Sequence, residues 1–107
     1  MDSIYLLITT VASADEAKSL AQKTTENGLA ACAKVQATCH SVYKWQGKLE
    51  SATEYPIHFK TNESKKSALF QFIKEHHSYD VPEIISIKLD EVDSEYATWL
   101  HAQLIAP

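Results

Sequence analysis

Two adjacent imidazoles, His76 and His77, are the residues of this chain best suited to metal chemistry, because imidazole nitrogen binds copper, zinc and nickel. Neighbouring residues on a helix point about 100° apart, so the pair shares one ion only where a helix frays. The competing account is that His76 packs and His77 complements the negative end of a helix. A second group joins Lys60 and Glu83, which end one extended stretch and begin another. With Tyr43, Trp45 and Tyr79 as apolar walls they can hold a small anionic or zwitterionic ligand. Equally, they fit an interface salt bridge with aromatic anchors, the usual make-up of an oligomer seam. Cys32 belongs to the same region. A free cysteine there packs more readily than it ligates, and Lys34 and Lys60 are the cations that would support a thiolate. His40 and His58 lie on the polar side of two extended arms, where they face each other as a weaker metal pair or stand in solvent.

Catalytic patterns are missing. No nucleophile sits in a strand-turn-helix elbow, two glycines are too few for a phosphate loop, and neither H-E-x-x-H nor EF-hand spacing occurs. The expectation is a protein that is not an enzyme. Ten Lys and Arg against fourteen Asp and Glu give a formal charge of -4, which disfavours nucleic acid as a partner. The start, Met1-Asp2-Ser3-Ile4-Tyr5, has neither the basic opening nor the cleavage site of a signal peptide, and its apolar run is too short to span a bilayer. A cytoplasmic location without membrane contact follows as the expectation. Cys32 and Cys39 would point to opposite faces of a regular strand, which disfavours a disulfide, and no C-x-x-C pair is present. The 107 residues, 45% hydrophobic and 22% charged, make a single domain, 1–107, that buries enough surface to fold without metal.

The elements that must position these residues centre on a long hairpin, Lys34 to Thr61. Val35, Ala37, Cys39, Tyr43 and Trp45 share one parity of position, as do Leu49, Tyr55, Ile57 and Phe59, while the alternate positions are mostly polar. Gln46-Gly47 supplies the turn, and Pro56 marks an edge or a bulge. Arms of about a dozen residues reach roughly 40 Å, beyond the roughly 22 Å of the longest helix, so the tip overhangs the body and calls for another copy of the chain to cover it.

Before the hairpin, Ser3 to Val11 reads as a central strand, and a capping box at Ser13–Glu16 opens a helix with buried Ala14, Ala17, Leu20, Ala21 and Thr24, ended by Asn27-Gly28. After it, Asn62 caps a helix carrying Lys65, Leu69, Phe72, Ile73 and His76, stopped before Pro82. Glu83 to Leu89 forms a short strand, and Asp93 or Ser94 caps a last helix bearing Tyr96, Trp99, Leu100 and Leu104. Strand, helix, strand, strand, helix, strand is the α+β ferredoxin-like, or split βαβ, order with an added C-terminal helix. It leaves one sheet face bare, with Tyr5, Leu7 and Ile84 as candidates for that face.

Several stretches together resemble one family. Gly28-Leu29-Ala30-Ala31-Cys32, Ser41-Val42-Tyr43-Lys44-Trp45-Gln46-Gly47, Lys60-Thr61, His76-His77-Ser78-Tyr79-Asp80-Val81-Pro82-Glu83-Ile84, and Tyr96 with Trp99-Leu100 look like the CutA divalent-cation tolerance proteins over nearly the whole chain. The resemblance implies a PII-like homotrimer of ferredoxin-like subunits, an association with copper tolerance, and binding of copper or another divalent cation that folding does not require. A PII-like sensor with an unidentified small molecule in an interfacial cleft, lined by Cys32, Tyr43, Trp45, Lys60, Tyr79 and Glu83, is the alternative, and a purely structural trimer is a third. Thr9 stands where some relatives have a cysteine associated with copper, which removes a soft ligand.

Overall fold

The structure is a computed structural model that describes residues 2–104. Its elements run β1 (Ile4–Val11), α1 (Ala14–Glu26), β2 (Cys32–Val35), β3 (Cys39–Trp45), β4 (Lys48–Asn62), α2 (Glu63–His76), β5 (Ile84–Lys88) and α3 (Ser94–Gln103). The sheet is antiparallel throughout with order β2-β4-β1-β5, and β3 continues outward on β4 alone. This is the expected ferredoxin-like arrangement with an extra helix.

The caps fall where the sequence places them. Ser13 Oγ accepts from the Glu16 amide at 3.1 Å, Asn62 Oδ1 from that of Lys65 at 3.3 Å, and an Asp93 carboxylate oxygen from that of Tyr96 at 3.1 Å. Gly28, at φ +68°, ends α1 in the left-handed conformation that a side chain would resist.

The odd positions of β1 and β4 face the helices. Leu7, Val11, Ile57 and Phe59 lose essentially all exposure against Ala17 and Leu20 of α1 and Leu69 and Ile73 of α2. Burying each larger aliphatic or aromatic side chain stabilises the body by about 1.5–3 kcal/mol. Tyr5 belongs here too. It hands a hydrogen bond to Glu63 at 2.6 Å and carries the Lys66 ammonium 4.1 Å above its ring. Tyr5, Leu7 and Ile84 therefore do not form the bare face: the first two are core, and Ile84 packs against that core. Both parities of β1 are apolar, so periodicity alone did not say which one the helices cover.

The other face is covered at one end only, where α3 lays Ala97, Leu100 and Leu104 on Ile4 and Ala31. Beyond α3, Leu6 and Ile8 stand beside Ile87 and Ile85 in the β1–β5 register, and the latter two remain 46% and 44% exposed. Trp99, expected in the apolar stripe of α3, is exposed, and His76 likewise points out of the α2 stripe.

The hairpin holds one surprise. Val35 pairs with Ile57 and Cys39 with Glu54, so Gln36, Ala37 and Thr38 oppose only Tyr55 and Pro56. This is a bulge with one extra residue, placed where Pro56 has no N–H to give the ladder; the Gln36 amide donates to the Pro56 carbonyl at 2.8 Å. A side-chain period of two means that one inserted residue turns everything beyond it over. The single apolar parity expected through both arms is thus broken. Outside the bulge Tyr43 and Trp45 share the face of Glu50 and Glu54, while Val42 and Leu49 lie on the opposite face. The bulge also corrects the cysteines. Cys32 and Cys39 end on the same face, about 20 Å apart along β4, and both thiols are free. The Gln46-Gly47 turn closes the arm with φ of 51° and 80°, the positive pair of a type I′ hairpin.

Candidate functional site

The face that carries Tyr43, Trp45 and Glu54 is the one that opens into a cleft. Tyr43 and Trp45 from β3, Glu54 from β4, Thr10 from β1 and the loop residues Tyr79, Asp80, Val81 and Glu83 surround about 380 Å³ at the base of the arm. The β4 strand carries Glu54 into it, and the loop before β5 is held there by its own contacts. Thr9 Oγ1 donates to the Glu83 carbonyl at 2.7 Å, and Ser78 donates from its amide and hydroxyl to Glu16 at 3.2 and 3.0 Å.

Glu54 is the centre of the site's polar network. It is 7% exposed, and it accepts from the Tyr79 hydroxyl at 2.8 Å and from Thr10 Oγ1 at 3.2 Å. Burial on its own raises a carboxyl pKa. Here hydrogen bonds from Ser41, Tyr79 and Thr10, helped by the positive charge of His77 when that ring is protonated, outweigh burial and hold Glu54 below the ordinary value of 4.5. Tyr79 answers in the other sense: burial, then its bond to Glu54, push its hydroxyl well above 10.0, so it stays a donor. The result is a fixed carboxylate at neutral pH, flanked by two further carboxylates on Asp80 and Glu83.

His77 serves this network instead of facing an ion. Its Nδ1 accepts from the Tyr79 amide at 3.1 Å, which leaves Nε2–H to donate to the Thr10 carbonyl at 2.9 Å. Both ring nitrogens are then occupied. His76 points elsewhere: its ring stacks on Phe72 at 3.9 Å, and its Nδ1 bonds the Phe72 carbonyl at 2.9 Å, which leaves Nε2 outermost. The two imidazoles do not converge, and among the described residues no three His, Cys, Asp or Glu side chains are arranged to hold a metal ion. His40 faces Thr53 and bonds Ser51 at 2.9 Å, while His58 stands opposite Lys34 across the ladder, so those two histidines do not meet.

Four of the six residues expected in the cleft, Tyr43, Trp45, Tyr79 and Glu83, are gathered there. Cys32 and Lys60 are not. They pair with each other across β2 and β4, about 20 Å along the strand from Glu54. The Cys32 thiol lies 3.4 Å from the Tyr96 hydroxyl of α3. Burial and that thiol contact push the Tyr96 pKa up to about 12. The expected pairing of Lys60 with Glu83 is therefore not made within one chain. Glu54, the most buried charged group of the cleft, was missed. Gln46-Gly47 was the available sign, since a two-residue turn pairs Trp45 with Lys48 and so puts Tyr43 and Trp45 on the face of Glu54.

A family model described as CutA1 divalent ion tolerance protein matches residues 5–103. A divalent-cation tolerance protein CutA from Yersinia pestis is 37% identical over 89 residues, which is 83% of this chain and 75% of that protein. Among solved structures, CutA from Synechococcus elongatus superposes with a TM-score of 0.92 at 36% identity, covering 97% of this chain and 92% of that one. A protein from Archaeoglobus fulgidus, described as a periplasmic divalent cation tolerance protein CutA, gives 0.90 at 30% identity, covering 94% and 98%.

Proposed function

Because the chain belongs to the CutA1 divalent ion tolerance family, we propose that it serves divalent-cation tolerance as a cytoplasmic homotrimer that binds a small ligand in the arm-base cleft and catalyses no reaction. The observation that carries this reading is the cleft itself: aromatic walls and a fixed, hydrogen-bonded carboxylate. Assembly is supported by the arm, where Val42 is 62% and Leu49 73% exposed, and by the uncovered Ile85 and Ile87. The free thiols of Cys32 and Cys39 fit a reducing compartment, and among the described residues no helix is long and apolar enough to cross a membrane. A thermal-shift screen of charged and neutral metabolites should yield a hit that Glu83→Ala abolishes; a blank across the panel rejects the cleft as a ligand site.

Weak binding of copper or another divalent cation, with none required for folding, is the second reading. The outward Nε2 of His76 favours it, because one imidazole is a ligand for Cu(II) without being a site. Calorimetric titration with Cu(II) should show binding that His76→Ala removes and His77→Ala leaves in place.

A further inference from the structure

One face of the sheet carries opposite charge at its two ends. Toward α3, Lys34 stands opposite His58, and Lys60, two positions along β4, stands between Cys32 and Leu6, so the ladder sets no acid opposite either lysine. Toward the arm the same face of β4 carries Glu54 and then Glu50, with Asp80 and Glu83 on the adjoining loop. Glu54 accepts from Tyr79 and Thr10 and is fixed as a carboxylate, so that end is negative by construction. Apolar groups accompany both ends, as in the seam of an oligomer. Ile87 and Ile85, 46% and 44% exposed, lie across β1 in the rows of Lys60 and His58, and Tyr43 and Trp45 stand beside the carboxylates.

The two ends cannot neutralise each other within one chain. Lys60 pairs with Leu6 on one side of β1 and Ile84 with Thr9 on the other, which sets Lys60 and Glu83 roughly 16 Å apart, beyond the span of an ion pair. A second copy resolves this. A three-fold axis never lays a patch on itself, so each contact of a trimer joins two different patches, and this face supplies two of opposite charge. We infer that the arm-base cleft is completed by a second copy of the chain, with Lys60 of the partner subunit facing Glu83 or Asp80 across the open side. The contact runs head to tail, each chain giving its lysines to one neighbour and its carboxylates to the other. This rests on the homotrimer reading, and it makes the cleft a site that one chain leaves without its positive wall.

The test is charge reversal in the full-length protein, with association read by sedimentation on dilution and folding of the body by its amide spectrum. Lys60→Glu and Glu83→Lys should each weaken association roughly tenfold or more in dissociation constant, because each sets like charges across the seam. The two together should return association to within about threefold of the unaltered protein, and because the positions do not meet in one chain, that recovery arises between chains. Lys60→Glu with Asp80→Lys is the parallel pair, and recovery in either pair supports the inference. Trimers that no single reversal weakens, or that neither pair restores, overturn this contact while leaving the trimer in place. Lys60 is half-buried and Glu83 exposed. Should a reversal unfold the body, Lys60→Gln and Glu83→Gln replace it: effects that fall short of additive support the contact, and additive effects overturn it. An unaltered protein that forms no trimer removes the homotrimer reading, and the inference with it.

Discussion

In the body, Leu7, Ile57 and Phe59 lie against α1 and α2 and lose all their exposure; in the arm, Val42 and Leu49 remain mostly in water on one face and Tyr43 and Trp45 half in water on the other. The same β4 strand runs through both regions, so strand propensity does not distinguish them. Layering does. The inner half of β4 has helices on one side and part of α3 on the other, whereas the outer half has only β3 beside it. A two-stranded ribbon is marginal in water, so the body is stable by its own core and the arm depends on something laid over it. The bulge at Gln36–Thr38 is the joint between the two regimes, and the Gln46-Gly47 turn, by pairing Trp45 with Lys48, sets the aromatic residues on the face of Glu54.

That contrast can be broken most severely from the body. Phe59→Ala should cost about 3–5 kcal/mol in chemical denaturation, because it empties the layer between sheet and helices. Deleting Ala37 should leave the body's stability within about 1 kcal/mol by the same measurement and restore two residues against two, a regular ladder that keeps Tyr43 opposite Glu50 and removes the bend of the arm. Leu49→Ser should leave the body's amide spectrum unchanged and weaken subunit association by about tenfold or more in dissociation constant, measured by dilution, if a sister chain covers that face.

A further effect concerns the polar network. Tyr79→Phe removes a donor to Glu54 and should destabilise the fold by about 1–2 kcal/mol while raising the Glu54 pKa, read by carboxyl NMR. The sign of the pH dependence follows from the lowered native value. Glu54 holds fewer protons folded than unfolded, so its contribution is present above its unfolded pKa of about 4.5 and disappears as pH falls through the lower native value. In Tyr79→Phe that acid-side loss should be smaller and be complete at a higher pH.

Much of this was legible in the chain. Ser13, Asn62 and Asp93 announced three helices, the β1 pattern announced a central strand, and Gln46-Gly47 announced the hairpin end, because each depends on local chemistry. What escaped depends on non-local choices. Tyr5 and Leu7 were assigned to the wrong layer because β1 is apolar on both sides. The faces of Tyr43 and Trp45 depend on the two-residue turn, which pairs odd positions of β3 with even positions of β4 and so breaks the shared parity; the extra residue beside Pro56 restores it only in β2. Lys60 was expected with Glu83 because one ends a strand and the other begins one, yet within one chain it lies six positions along β4 from Glu54 at the cleft.

The dependence of the arm on a sister chain can be read directly from native mass spectrometry of freshly purified protein at micromolar concentration. Three chains of 12.0 kDa in one ion series, with the Leu49→Ser protein shifted toward smaller species, is the result expected. A well-folded 12.0 kDa monomer with its arm intact would contradict it.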